Sequence, residues 1–413
     1  MPRGLRATFA CVLGALALAA GLTGCGGKKS AVENGSDTLT IYSSLPLQGP
    51  DRARARDMVN AIKLALQQAH GKVGPFNITY VSLDSATPQA GTWTGDQVLV
   101  NARAAVHDLN AIAYIGDQDS AATALSLPLT NEGDILQVSP SSTYVGLTRK
   151  SRRQGEPDRF YPSGIRTFGR MVPADDVQAS ALIGYMKSSG VHSLALVADR
   201  EFYGGGIADE VKEAAARQGI TIDDDGTVDG TKGDVSGLAR QVAKSGADAF
   251  LYAGTTATGA ARIFSAVGAA APSMQLFGPA AVADQSFVNA LPLAVQRRMR
   301  VTTPALPPSL LPASARVFRD RFRRAFGREP APEALQAYEA CNAVLYAIRR
   351  AGAKGNDRLS VAKAFFTIRN HPSVLGRYSI DADGDTSLSS YAGERIEDSQ
   401  FVLQTLLKVR PNT

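Results

Sequence analysis

Residues 39–83 have the sequence LTIYSSLPLQGPDRARARDMVNAIKLALQQAHGKVGPFNITYVSL. The first four of these residues are mostly β-branched or aromatic, which is typical of a strand. Apolar residues then recur at helical spacing and form one stripe. The stripe consists of Val59, Ile62, Leu66 and Ala69. Phe76–Leu83 is the next strand, so the segment predicts a β-α-β unit with two parallel strands.

The same alternation of strands and helices continues along the chain. Further strands are predicted at Ala111–Ile115, Ile135–Val138, Ser193–Val197, Thr221–Val228, Ala249–Tyr252, Gln275–Phe277, Gly376–Ile380 and Phe401–Leu407. Further helices are predicted at Val98–Leu109, Ala121–Asn131, Gly206–Gln218, Val235–Ser245, Ala257–Val267, Ala313–Ala325, Pro332–Ala351 and Ser360–Ile368. Strands separated by helices of this length are typical of parallel α/β sheets.

The alternation occurs in two runs, separated by the polar segment Lys150–Tyr161. Two such runs in a chain of 413 residues predict an α/β protein with two doubly wound parallel-sheet lobes. We expect three hinge crossovers, near Ile165, Val301 and Gly376. The first lobe would then comprise residues 38–165 and 304–375, and the second lobe residues 166–303 and 376–413.

Hydroxyl-bearing and aromatic residues follow several of the predicted strands. Ligands of open parallel sheets bind beyond the carboxyl ends of the strands, where helix N-termini favour negative charge. Each of these residues alone is more often a helix cap than a ligand contact. Their recurrence in both lobes predicts a ligand site in the cleft between them. The candidate residues are Ser120, Ser141, Thr143, Tyr203 and Thr256.

Several segments, in this order along the chain, resemble the branched-chain amino acid binding proteins, which are type I periplasmic binding proteins of ABC importers. They are YSSLPLQGP at 42–50, AYIG at 113–116, LQVSP at 136–140, FYG at 202–204 and LFGP at 276–279. The resemblance extends from about Leu39 to the C-terminus. It implies two lobes that close on a small ligand by rotation about the crossovers.

The resemblance also implies roles for the candidate residues. Ser120 and Thr143 match positions whose hydroxyl and amide groups hold the carboxylate of an amino acid. Ser141 matches a position that offers its backbone carbonyl to the ammonium group. Tyr203 matches an aromatic residue of the second lobe that closes over the ligand, and Thr256 falls near another contact of that lobe.

One departure from the family pattern concerns the ammonium group. Many members carry an acid after a Gly-Pro pair, whereas this chain has Ala280 and Ala281 after Gly278-Pro279. An unpaired buried ammonium would cost several kcal/mol. The sequence leaves open whether an acid elsewhere substitutes, the candidates being Asp284, Asp117 and Asp199. The ligand could therefore be an amino acid, another carboxylate, an amide or an aromatic acid.

The N-terminus has the pattern of a secretory signal peptide, with two arginines before an uncharged apolar run that is too short to span a bilayer. Leu22-Thr23-Gly24-Cys25 resembles the bacterial lipobox, which implies a signal peptide over residues 1–24 and a lipid on Cys25. An ordinary signal peptide with a chance cysteine is the alternative. Residues 25–37 are polar and predict a flexible tether. We expect a lipid-anchored protein on the extracytoplasmic face of the cell membrane.

Composition and motifs argue against several other classes of function. The formal net charge of +6 is spread in mixed clusters, so we expect no nucleic-acid partner. No metal-ligand spacing, nucleotide fingerprint or catalytic set is present, so we expect neither an enzyme nor a cofactor. The segment Asp381–Thr386 departs from a calcium loop and predicts a polar turn. Cys341 lies in a helical pattern and is expected to be a buried apolar residue.

These observations favour a monomeric solute-binding lipoprotein that captures a small polar, carboxylate-bearing ligand for the permease subunits of an ABC importer. The main alternative is a lipid-anchored sensor or partner-binding protein of the same fold that takes no part in transport. A secreted lipoprotein enzyme is a third possibility, which lacks a catalytic set.

Overall fold

A computed structural model describes residues 37–409. The predicted signal peptide, the lipidation site Cys25 and all but the last residue of the predicted tether lie outside the described residues. The described part contains two α/β lobes, each built on its own sheet.

The first lobe is built on a six-stranded sheet with the strand order β2-β3-β1-β4-β5-β6. All neighbouring pairs are parallel except β2 with β3. The strands are β1 Thr38–Leu45, β2 Lys72–Val73, β3 Phe76–Asp84, β4 Ala111–Gly116, β5 Leu136–Ser139 and β6 Phe168–Arg170. The parallel β1-α-β3 unit predicted from residues 39–83 is therefore confirmed.

The second lobe is built on a seven-stranded sheet with the order β15-β14-β11-β10-β9-β7-β8. It is parallel except at the edge formed by β14 and β15. Its strands are β7 Ser193–Ala198, β8 Thr221–Thr227, β9 Ala249–Ala253, β10 Gln275–Gly278, β11 Met299–Thr303, β14 Ser390–Glu397 and β15 Gln400–Lys408. A separate two-stranded hairpin contains β12 His371–Ser373 and β13 Gly376–Tyr378.

Helices cover both faces of each sheet, as expected for a doubly wound fold. The helices of the first lobe are α1 Arg52–Gln68, α2 Gly95–His107, α3 Ser120–Glu132, α10 Ala313–Phe326, α11 Ala334–Ala351 and α12 Arg358–Phe365. Those of the second lobe are α4 Asp175–Ser188, α5 Phe202–Gln218, α6 Val235–Ser245, α7 Ala260–Ala270, α8 Gln285–Ala290 and α9 Leu293–Gln296. In the first lobe α1, α10, α11 and α12 share one apolar core with the sheet. In the second, α4 and α5 pack on one face and α6, α7 and α8 on the other.

Two predicted lobe boundaries need correction. The strand β6 pairs with β5, so the first sheet extends beyond the boundary predicted at Ile165. The residues from Gly376 to Ile380 were expected to open the last part of the second lobe, but Tyr378 and Ile380 lie in the core of the first. Both errors have the same cause. Before each of these crossovers, the chain forms a short strand or a hairpin that still belongs to the first lobe.

Within residues 37–409, no helix has both the length and the apolar character needed to cross a membrane. Cys341 is fully buried in α11, as expected from its helical pattern. The Asp381 carboxylate accepts the backbone N–H groups of Asp383, Gly384 and Asp385 at 2.9 Å each, which is the predicted polar turn.

Candidate functional site

The loops that follow β4 and β5 meet at the edge of the first sheet that faces the second lobe. Ser120, the first residue of α3, is almost fully buried. Its Oγ accepts the backbone N–H of Thr143 at 3.1 Å and that of Tyr144 at 3.2 Å. A hydroxyl has two lone pairs and one proton. Because the two amides occupy the lone pairs, the Ser120 proton remains to be donated.

A network of short hydrogen bonds fixes these two loops to each other. Ser139 Oγ donates to the Asp117 carbonyl at 2.7 Å and accepts the N–H of Ser142 at 2.9 Å. The hydroxyls of Ser142 and Thr123 lie 2.7 Å apart. Fixed loops lose little conformational freedom on binding, which favours affinity. The candidate site on this lobe therefore consists of two loops that hydrogen bonds already hold in place.

Ser141 and Thr143, the other two predicted residues of the first lobe, are half-buried in the β5 loop. The Ser141 hydroxyl donates to the Gln118 carbonyl at 2.8 Å and so ties this loop to the β4 loop. The Thr143 carbonyl accepts the N–H of Asp175 at 2.9 Å. Thr143 thus contacts the first residue of α4, which belongs to the second lobe.

Tyr203 approaches the same region from the second lobe. It lies in the first turn of α5, directly beyond the carboxyl end of β7. Burial raises the pKa of the Tyr203 phenol well above its usual value, and the nearby charge of Asp175 adds to this. Ser120 and Thr143 are therefore in contact at the first-lobe side of the junction with α4, and Tyr203 of the second lobe lies close enough to feel the charge of Asp175.

Asp175 was not predicted as a site residue. It is fully buried at the start of α4, where the Thr143 hydroxyl acts as a hydrogen-bond donor to its carboxylate. Burial raises the pKa of Asp175 to about 7, against the opposing effects of the Thr143 hydroxyl and the Arg170 guanidinium. The hydroxyl of Tyr391 in β14 is also fully buried, and it has no hydrogen-bond partner among residues 37–409.

Thr256 occupies a different part of the cleft, beyond the end of β9. Its hydroxyl donates to the Asp284 carboxylate at 2.6 Å, and its N–H donates to the Ala281 carbonyl at 3.3 Å. Opposite, in the first lobe, Arg54 pairs with Asp51 and, at 3.1 Å, with Glu333. Burial works to lower the pKa of Arg54, but the charges of Glu333 and Asp51, and to a smaller extent that of Asp284, raise it.

The two lobes are in direct contact beside the cleft. The rings of Tyr144 and Phe202 lie 4.4 Å apart, and the Arg153 guanidinium lies 4.4 Å from the Phe202 ring centroid. Gly206 allows this approach, because a Cβ at that position would lie 2.5 Å from the Tyr144 ring. The contact is further held by an ion pair of 2.8 Å between Arg149 and Asp176.

The three acids considered as substitutes for the missing acid after Gly-Pro have partners within their own lobes. Asp284 binds Thr256 and caps α8 by accepting the N–H of Phe287 at 2.9 Å. Asp199 accepts the Thr258 hydroxyl at 2.8 Å. Asp117 is buried, accepts the Tyr114 hydroxyl at 3.3 Å and lies among hydroxyl groups of the first lobe. Burial raises the pKa of Asp117 to about 6.

Two further observations concern metal ligands and cavities in the described part of the chain. No group of three or more potential metal-ligating side chains occurs in residues 37–409. A cavity of about 290 Å³ lies beside the crossovers, away from Ser120 and Tyr203. It is lined mainly by apolar residues, among them Met171, Pro304, Phe318 and Leu335.

Comparisons with known proteins identify the family. A model of the family described as "Periplasmic binding protein" matches residues 38–397. The Leu/Ile/Val-binding protein BraC3 of Rhizobium johnstonii is 23% identical over 382 residues, which cover 88% of this chain and 93% of that protein. The resemblance inferred from the sequence is thereby confirmed at the level of the family.

Solved structures confirm the two-lobed α/β fold. The leucine binding protein LivK of Thermotoga maritima superposes with a TM-score of 0.77 at 20% identity, covering 90% of this chain and 99% of that one. A solute binding protein of an ABC transporter from R. palustris, solved with benzoate, superposes with a TM-score of 0.72 at 17% identity, covering 90% and 96%.

The family is one of extracytoplasmic solute-binding proteins without catalytic activity, so the prediction that the chain is not an enzyme is confirmed by its membership. The match extends over both lobes and includes every residue of the site described above. The chain therefore belongs to the periplasmic binding protein family.

Proposed function

We propose that the protein binds a small polar, carboxylate-bearing solute between its two lobes and delivers it to an ABC importer. The observation that carries this proposal is the arrangement at Ser120, which keeps its proton available while Thr143 and Tyr144 fix its oxygen. A hydroxyl proton that is free to be donated from a fixed loop suits a carboxylate oxygen. One hydrogen bond to a charged group contributes about 1.5–3 kcal/mol.

Closure of the lobes completes the proposed site. Ser120 and Thr143 would hold the carboxylate from the first lobe, and Tyr203 would cover the solute from the second. A solute that contacts both lobes stabilises the closed form by its differential affinity for that form. The backbone carbonyl of Ser141 and the side chain of Thr256 remain predicted contacts of the solute. The Thr256 hydroxyl is hydrogen-bonded to the Asp284 carboxylate, so the two side chains would meet the solute together.

The names of the relatives favour amino acids as the solute class. One relative is named a Leu/Ile/Val-binding protein and one solved neighbour a leucine binding protein, whereas another neighbour holds benzoate. These relatives also favour an importer as the partner. The lipobox at Leu22–Cys25 would anchor the protein to the extracytoplasmic face of the membrane and hold it beside that importer.

A thermal-denaturation screen tests the proposal. The panel contains the twenty amino acids, their amides and simple aromatic acids, each added to the folded protein. A solute present at 100 times its Kd should raise the free energy of unfolding by about 2.7 kcal/mol. The proposal is contradicted if no member of the panel stabilises the protein.

An uptake measurement separates transport from sensing. Cells that lack the protein should lose uptake of the solute found in the screen, and the wild-type gene should restore it. Unchanged uptake together with tight binding would favour the sensor alternative.

A further inference from the structure

The positive charge of the chain is concentrated on one layer of helices. Residues 52–68 and 313–354, which include α1, α10 and α11, carry 13 basic and five acidic side chains, whereas the whole chain has a net charge of +6. Residues 171–303, which form most of the second lobe, carry 11 basic and 14 acidic side chains. Charge asymmetry of this kind is typical of proteins that bind membranes or nucleic acid.

The helices α1 and α10 lie beside each other on the first sheet. The Arg321 guanidinium donates to Gln68 Oε1, at the end of α1, at 2.8 Å. Near the start of α1, Arg328 donates to the Ala53 carbonyl and to the Asp57 carboxylate, each at 3.0 Å. Both helices turn their apolar residues toward the same core. Their exposed side chains therefore form one outer surface of the first lobe.

Most of the cations on this outer surface have no acidic partner. The ion pairs of α1 and α10 use Arg54, Arg319 and Arg323. None of the other cations in these two helices forms an ion pair with any of residues 37–409. A helix face that is merely solvated usually alternates the two signs of charge. The unpaired cations are all exposed, and we call them the basic face: Arg52, Arg56, Lys63, Arg316, Arg321 and Arg324.

The predicted tether joins the fold beside the basic face. Thr38, the first residue of β1, pairs with Asn77, and Asn77 pairs with Lys72, shortly after the end of α1. Neighbouring strands lie about 4.8 Å apart, so the tether ends about 10 Å from the backbone of Lys72. The C-terminus of α11 reaches the same place, because a Cβ at Gly355 would lie 2.5 Å from the Phe76 ring. Further exposed cations of this region are Lys72, Arg349, Arg350 and Lys354.

The tether is short enough to keep this part of the fold close to a membrane. Residues 26–37 separate the proposed lipidation site Cys25 from β1. A flexible chain of this length has an end-to-end distance of about 20 Å. The negative potential of an anionic bilayer surface attracts lysine and arginine side chains, and it decays over about 10 Å at 0.1 M salt. The lipid anchor would therefore bring the basic face to the range in which this attraction acts.

We infer that the basic face docks on the headgroups of anionic phospholipids, as a second membrane contact besides the proposed lipid on Cys25. The family is extracytoplasmic, which favours a membrane over nucleic acid as the partner. The basic face belongs to the first lobe alone, so the second lobe stays free to rotate while the protein is docked. The inference goes beyond solute capture. Because the tether argument rests on the proposed lipidation, the test uses a chain without the lipid.

Vesicle sedimentation tests the inference. The mature chain, residues 25–413 with Cys25→Ser so that no lipid is attached, is mixed with vesicles of phosphatidylcholine alone or of phosphatidylglycerol and phosphatidylcholine in equal parts. At about 0.1 M NaCl we expect binding to the anionic vesicles only, and we expect its loss at about 0.5 M NaCl, since salt screens the attraction. Absence of binding to the anionic vesicles, or equal binding to both kinds, would overturn the inference and leave solute capture and lipid anchoring intact.

Charge variants locate the contact on α10. The triple variant Arg316→Gln, Arg321→Gln and Arg324→Gln should bind the anionic vesicles on the order of 100-fold more weakly, since each cation near the surface contributes about fivefold. Replacing the same three arginines by lysine keeps the charge and should keep the binding. Equal losses in the glutamine variant and its control, or in the glutamine and lysine variants, would overturn the assignment. The control removes three exposed cations of the second lobe: Lys232→Gln, Arg240→Gln and Lys244→Gln.

A fluorescent label reports which side of the protein meets the vesicle. Val317 in α10 is 47% exposed and Leu293 in α9 of the second lobe is 63% exposed, while Cys341 is fully buried and does not compete for a thiol reagent. In the mature chain with Cys25→Ser, a fluorophore on Val317→Cys should be quenched by a quencher attached to the lipid headgroups. The same fluorophore on Leu293→Cys should keep its emission. Equal quenching at the two positions would overturn the inference.

Discussion

The Ser120 hydroxyl oxygen accepts the backbone N–H of Thr143 at 3.1 Å, and this bond joins the loops that follow β4 and β5. Because the two residues come from neighbouring parallel strands, their loops end at the same edge of the first sheet. Since the same oxygen also accepts the N–H of Tyr144, the Ser120 proton remains to be donated.

Substitution of these two residues tests the carboxylate half of the site. Ser120→Ala removes the proposed donor to the solute and an acceptor for two amides, so we expect a loss of about 1–3 kcal/mol in binding. Thr143→Ala should weaken binding in the same direction. Calorimetry on the solute found by screening measures both. The control is Ser265→Ala. The Ser265 hydroxyl donates to the Ala261 carbonyl within α7, so this variant should bind the solute normally. Unchanged affinity in both site variants would remove the proposed site.

Two adjacent glycines of α5 offer a test of closure. A Cβ at Gly206 would lie 2.5 Å from the Tyr144 ring of the other lobe, whereas a Cβ at Gly205 would meet only Arg153, at 3.6 Å. Gly206→Ala should therefore hold the lobes apart and weaken solute binding without touching the solute. Gly205→Ala makes the same change in helix propensity and should bind normally. Equal affinities of the two variants, measured by calorimetry, would argue against closure at this contact.

The pH dependence of stability should show the effect of Asp175. Burial raises the pKa of Asp175 to about 7, above its value in the unfolded chain, so the folded form holds its proton more tightly. Its contribution to stability is therefore largest below pH 4 and is lost as the pH rises to about 7. The groups that face it are Thr143, Arg170, Asp176, Tyr203 and Tyr391.

Urea unfolding of the wild type and Asp175→Asn between pH 4 and pH 8 measures this contribution. As the pH rises, the unfolding free energy of the wild type should fall relative to that of Asp175→Asn. The other acids are the same in both proteins, so their effects cancel in this comparison. A difference that stays constant over this range would contradict the raised pKa.

The ion pairs of Asp385 should be important for stability. Burial works to raise the pKa of Asp385, but Arg170 at 2.7 Å and Arg149 at 2.8 Å keep it below its usual value. Asp385→Asn leaves the buried Arg170 without its charged partner, and loss of one member of such a pair costs about 3–5 kcal/mol. Urea denaturation at pH 7 measures this loss. Asp320→Asn breaks an exposed pair with Arg323 and should cost less than about 1 kcal/mol. Similar losses in the two variants would contradict this account.

The lipobox prediction concerns the part of the chain outside the described residues. Cys25→Ser removes the sulfur that would carry the lipid, so the protein should move from the membrane fraction to the soluble extracytoplasmic fraction. Fractionation and immunoblotting measure the distribution, with Cys341→Ser as the control. Full retention of Cys25→Ser in the membrane fraction would contradict lipid anchoring.

The order of most strands and helices could be predicted because each has a clear period and an apolar face. The helix α4 was not predicted, since most of its residues are buried and it lacks an amphipathic stripe. The strand β14 was not predicted either. Its sequence SYAGERIE carries glycine and charged residues, which are tolerated in the antiparallel region near the edge of the sheet.

These two omissions explain what was missed at the site. Ser120, Thr143 and Tyr203 follow predicted strands and could be named from the sequence. Asp175 and Tyr391 belong to α4 and β14, and their complete burial is visible only in the folded chain. The acid pair Asp175-Asp176 before the apolar run that begins at Val177 is a helix-start signal that could have identified α4.

The most direct test is a crystal structure of the protein with the solute identified by screening. We expect the solute between the lobes, with its carboxylate on Ser120 and Thr143 and with Tyr203 covering it from the second lobe. A solute bound in the cavity beside Met171 and Leu335, or one that contacts a single lobe only, would contradict the account.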